Sequence, residues 1–161
     1  MLGFALLLSY RSSGATSNVW PAVFGFTNPL LIAILAYWRG ERKKPNALEL
    51  LCVCIGAVSI ILWWFVRNDK YLSQYALYIA LIADACAAIP TIVFVWKTPH
   101  GDRPFAWVLF AIGYGLVLFA IEEHTFVNYI LPTYMTLGSA FVAFPLILHR
   151  LRNKVPLSQW V

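Results

Sequence analysis

Asp84 is the residue whose chemistry most needs explaining. It stands in the middle of an apolar run from Tyr71 to Trp96, where an ionised carboxylate costs at least about 2.5–3.5 kcal/mol on membrane-insertion scales. No lysine or arginine lies deep in any apolar run to offset that cost. An acid so placed can couple proton movement or contact a polar solute; the alternative is an acid hydrogen-bonded to a neighbouring helix. Six residues further on, Pro90 has no N–H to give to the carbonyl of Cys86 and its ring clashes with that group, which kinks the helix. The kink is either a hinge or a static bend, and the adjacent Thr91 can return a hydroxyl to the freed carbonyl. Asn28, followed by Pro29, and Ser139 are polar side chains at mid-run depth in two other apolar stretches. Tyr114 lies between Gly113 and Gly115, where the glycines are expected to permit close helix contact. Together Asn28, Asp84, Tyr114 and Ser139 are the candidate lining of a binding site. Interhelical hydrogen bonds, which average well under about 1 kcal/mol each, are the structural alternative.

Other chemistries find less support. His100, His124 and His149 fall in different loops or run ends and are expected as interface residues rather than a ligand set. Glu122-Glu123-His124 has the composition of a cation site but reads by default as a solvated acidic turn. Cys52 and Cys54 are two residues apart, so on a helix they face different ways, and with Cys86 they are expected as small buried hydrophobes. No Ser-His-Asp set, glycine-rich phosphate loop or paired catalytic carboxylates stand out. No enzymatic activity, cofactor or metal is expected.

The elements that must position these groups follow from composition. With 61% hydrophobic and 12% charged residues among 161, and a mean hydropathy of +0.72, the chain has too few polar side chains to coat a soluble globule of its size. An all-α, polytopic membrane bundle is expected. Apolar runs at Val19–Trp38, Ala47–Val66, Tyr71–Trp96, Phe105–Ile121 and Phe126–His149 predict five full crossings, each helical because lipid offers no partner for backbone N–H and C=O groups. The N-terminal MLGFALLL reaches only about 12 Å against a hydrocarbon core of about 30 Å and predicts a partial helix. Trp20, Trp38, Trp63, Trp64, Trp96 and Trp107 fall near run ends, as an aromatic belt requires.

The net charge of +5 is spread over short loops and predicts orientation in a bilayer rather than nucleic-acid binding. With the Arg39 to Lys44 loop in the cytoplasm, Arg39, Arg42, Lys43, Lys44, Lys97, Arg103, Arg150, Arg152 and Lys154 fall inside, against Arg11, Arg67 and Lys70 outside. The C-terminus is then cytoplasmic. A shift of 111 residues lays Trp20-Pro21 on Leu131-Pro132 and Asn28 on Ser139, a weak repeat in which both copies run the same way.

Ala83-Asp84, Pro90-Thr91, Pro99, Asp102 and Trp107, continued by Asn128-Tyr129 and Pro132-Tyr134, resemble the second half of small bacterial membrane proteins distantly similar to the PQ-loop and SWEET/SemiSWEET group. The resemblance covers Asp69 to Arg152 well and Val19 to Val66 loosely, and Thr91 stands where a PQ pair has glutamine. It implies two three-helix bundles joined by a linking helix: residues 1–45 as the remnant of a first repeat, 46–70 as the linker, 71–154 as the second repeat and 155–161 as a cytoplasmic tail. On this alignment the first helix and most of the second lie outside the sequence. The implied function is transport of a small polar solute across a bacterial inner membrane, with Pro90 and Thr91 as hinge and Asn28 at the level of the sugar-contacting asparagines; the buried acid and its spacing to the proline add proton coupling through Asp84 as a further expectation. The implied partners are the lipid bilayer, the solute, and a second copy or the missing N-terminal helices. A non-transporting membrane subunit or receptor is the alternative, since the group includes cargo-receptor-like members.

Overall fold

The computed structural model describes residues 2–13, 19–40 and 47–160. Arg42, Lys43, Lys44 and Pro45 of the basic loop, and residues 14–18 of the polar stretch before the first long run, lie outside the described residues. Among the described residues there are six α-helices and no strand: α1 (Leu2–Ser12), α2 (Trp20–Arg39), α3 (Ala47–Val66), α4 (Lys70–Lys97), α5 (Pro104–Phe119) and α6 (Phe126–Arg152), followed by a short 3-10 turn at Leu157–Gln159. Three helical stretches are long and apolar enough to cross a membrane, Trp20–Arg39, Tyr71–Lys97 and Phe126–Arg152; Leu50–Val66 and Pro104–Phe119 are shorter apolar helices. Helix length and hydropathy make the chain a multi-pass membrane protein. The 16 residues of α5 extend about 24 Å, less than the crossing expected of it.

The chain forms two compact units, Met1–Ala87 and Ala88–Val161, which divide inside α4. In the first unit α1 packs on α2 and α3. Its buried residues, Ala5, Leu6, Ser9 and Tyr10, with Ser13 just beyond its end, recur at the spacing of one helical face. The helix is short, and Gly3 near its start already rests against the N-terminal half of α2, where a Cβ would come within 3.0 Å of the Phe26 Cα and 3.1 Å of the Gly25 carbonyl oxygen. Beyond that level α1 offers no cover, and every described side chain of α2 from Pro29 to Arg39 is exposed. At the other end of α1 the Trp63 indole N–H donates to Ser12 Oγ at 2.9 Å. The turn into α4 is set by Asp69, whose Oδ1 accepts from the N–H groups of Tyr71 (2.9 Å) and Leu72 (3.1 Å), donors that no preceding helical carbonyl can satisfy.

In the second unit α5 packs along α6. Ser139, Val142, Ala143, Leu146 and Arg150 form the buried stripe of the C-terminal half of α6. Val95, Val142 and Leu146 make the core, with Ile92 and Trp107 against it. Helix α5 opens with the buried Pro104 in its first turn, a position where the missing N–H costs nothing. The expectation of close contact through Gly113 is corrected: a Cβ there would meet nothing within 4 Å, because the residue is on the exposed side of α5, and Gly115 makes only ordinary contact, 3.8 Å to Thr136 Cγ2.

Candidate functional site

Helix α4 explains where Asp84 is held. Its buried positions Ser73, Ala76, Leu77, Ala80 and Leu81 follow the i, i+3, i+4, i+7 pattern, and Asp84, four residues after Ala80, continues the same face. Small residues on that face leave the α4 backbone open to a neighbouring side chain, as where Ser59 Oγ of α3 donates to the Ala76 carbonyl at 2.9 Å. Asp84 is therefore half-buried on the packing side of the first unit and is engaged by a partner. Ile82, two residues earlier, is 59% exposed on the opposite side of the helix.

Asn28 also belongs to the first unit. It is half-buried, two residues past the Phe26 level at which α1 begins. Tyr114 and Ser139 belong to the second unit, and both are buried, Tyr114 with its ring stacked at 6.4 Å on Phe110. The four candidate lining residues are thus shared equally between the two units. Pro90 and Thr91 are exposed, inside an α4 that continues as helix to Lys97. The division between the units, at Ala87–Ala88, comes less than one turn before Pro90 and next to Cys86, the residue whose carbonyl Pro90 cannot serve.

The ends of the second unit hold side chains whose roles the sequence did not disclose. At one end Asp102 accepts the Trp107 indole N–H at Oδ2 (3.0 Å) and the Arg103 backbone N–H at Oδ1 (2.7 Å). The five-residue spacing from acid to tryptophan is thereby explained as the clasp of the α4–α5 turn. Nearby His100 and His149 bring their rings to 6.2 Å between centroids. At the other end the fully buried Asn128 donates through Nδ2 to the Glu123 carbonyl at 2.8 Å, and His124 Nδ1 lies 2.7 Å from Tyr129 Oη in a stacked pair. These two groups fasten the α5–α6 turn. The cysteines are free; Cys52 is buried, while Cys54 is exposed and so departs from the expected buried role, the two pointing to different faces as their spacing requires.

No protein-family model, curated protein or solved structure matches the chain. The site is defined by its residues: a carboxylate on the packed face of an apolar helix long enough to cross a membrane, six residues before a proline in the same helix.

Proposed function

We propose that the protein is a SWEET/PQ-loop-like transporter of a small polar solute, with Asp84 as the group that contacts the solute or moves the coupling proton. The observation that supports it most is the placement of Asp84: a carboxylate kept on the inward face of a membrane-crossing helix at an insertion cost of about 2.5–3.5 kcal/mol, where an apolar side chain would pack without that penalty. Pro90, beside the division between the units, is the hinge, with Thr91 adjoining it. Asn28 of the first unit, and Tyr114 and Ser139 of the second, are the other polar groups proposed to contact solute. On this proposal α3 and α5 complete five crossings, the 24 Å of α5 being accommodated by bilayer thinning and by the charged residues at its two ends. Residues 71–154 form the second three-helix repeat, 46–70 the linker, and the C-terminus is cytoplasmic in a bacterial inner membrane.

Uptake of a panel of labelled mono- and disaccharides into proteoliposomes, with and without an imposed pH gradient, tests the proposal. At least one sugar is expected to accumulate above empty vesicles, and Asp84→Asn to reduce its uptake by tenfold or more. Uptake that is unchanged in Asp84→Asn removes Asp84 from the mechanism. A non-transporting membrane subunit is the second reading, favoured by the fact that Asp102, Trp107 and Asn128, prominent in the sequence motif, fasten turns.

A further inference from the structure

The segment after α6 folds back onto the second unit. The backbone reverses at Lys154, whose φ of 50° is in the left-handed region that side chains other than glycine disfavour. The chain then runs back across the end of the second unit. Val155 donates its N–H to the Arg150 carbonyl at 3.0 Å, and the Trp160 indole N–H closes on the Val155 carbonyl at 3.2 Å. Besides the Val155 bond to α6, two further bonds join this segment to other elements. The Phe105 N–H, one of the first-turn donors of α5 that have no helical partner, donates to the Trp160 carbonyl at 3.3 Å, while the N-cap residue Arg103 supplies no side-chain cap. The Arg150 guanidinium, only 8% exposed, bridges the rest: Nη1 donates to the Gln159 carbonyl at 2.7 Å and Nη2 to the Asp102 carbonyl at 2.8 Å.

We propose that Val155–Trp160 is a releasable latch, fastened by Arg150, that ties the α4–α5 turn to the C-terminal end of α6. Three observations make it releasable rather than a fixed part of the core. The 3-10 turn contains no buried residue, Leu157 is 74% exposed and Val155 and Trp160 are only half-buried, so polar bonds rather than a fully buried apolar anchor hold it. The buried guanidinium is met by neutral carbonyls, and its Nε has no partner among the described residues, an arrangement that burial penalises. The reversal rests on a lysine in a backbone conformation that favours glycine. Closed, the latch caps α5 and hides a cation. Open, it returns the Arg150 guanidinium to the aqueous face and leaves the Phe105 N–H uncapped, so the α4–α5 turn and the tail loosen together. The latch does not depend on the protein being a transporter.

Amide hydrogen exchange of the full chain in lipid nanodiscs, resolved with overlapping peptides, tests it. Arg150→Gln is expected to speed exchange at Phe105, Gln159 and Trp160 together by tenfold or more, while Arg152→Gln, on the neighbouring exposed arginine, leaves all three unchanged. Removal of Ser158–Val161, which keeps Arg150, is expected to speed Phe105 by a similar factor with α6 still protected. Lys154→Gly is expected to slow the same amides severalfold. A Phe105 amide that exchanges at the wild-type rate in both Arg150→Gln and the truncation overturns the latch. Rates unaltered by Lys154→Gly overturn its release.

Discussion

At the scale of single residues, the polar groups of this chain divide by what they touch. Asp102 and Trp107 serve each other: removing the indole N–H by Trp107→Phe leaves the ring in the core beside Val95 but strands one carboxylate oxygen. A loss of about 1–2 kcal/mol is expected, read as a lowered midpoint of thermal unfolding in detergent, and an unchanged midpoint would show that the bond contributes nothing. Asp69→Ala is expected to cost about 1 kcal/mol by the same measurement, since it leaves two N–H groups of the first turn of α4 without their acceptor. Asp84 differs from both because local turn geometry gives no account of it. Its depth was legible in the sequence, as one acid in an apolar run has few readings. Arg150 was not legible in that way, because it looked like one more basic residue after a membrane span. Its partners, Asp102 and Gln159, lie 48 residues before it and 9 after it, and only the fold brings them together.

The elements were easier to foresee than their contacts. Continuous apolar runs with charged ends predicted α2, α3, α4 and α6 within a few residues, since in lipid a helix satisfies its own backbone and hydropathy alone marks its length. Helix α5 was placed as closely, its end falling two residues early at Phe119, where Ala120 to Thr125 form the turn that Asn128 fastens. Glycine spacing proved a poor guide to packing, for GYG in α5 suggested a close approach that Gly113 does not make, whereas Gly3, unremarked in the sequence, sits on the backbone of α2. Gly3→Ala should therefore destabilise the first unit by about 1–3 kcal/mol, because the atoms it meets are main-chain and cannot rotate away. Gly113→Ala and Gly138→Ala, where a Cβ meets nothing, should be neutral or stabilising. Unfolding midpoints of the three variants side by side check the contrast, and equal shifts would contradict it. Pro90→Ala restores a backbone bond to the Cys86 carbonyl. If the proline is the hinge, the variant should be at least as stable as the wild type yet slower in uptake; a fast, stable variant would make the kink static.

For the molecule as a whole, the two compact units and the membrane-crossing helices agree with a multi-pass protein, and transport rests on whether water and solute reach the inward face of α4. The loop charges predict that a reporter fused after Val161 and fluorescent only in the cytosol will be bright; a dark fusion that is fully expressed would reverse the orientation. The most direct measurement needs no substrate. In a chain whose three native cysteines are replaced, Asp84→Cys and Ile82→Cys are each exposed to a small charged thiol reagent in intact vesicles. A polar path through the protein predicts rapid modification at position 84 and none at position 82, whose side chain is on the opposite, exposed side of the same helix. Position 84 as unreactive as position 82 would show Asp84 sealed from water and would contradict a solute path at this residue.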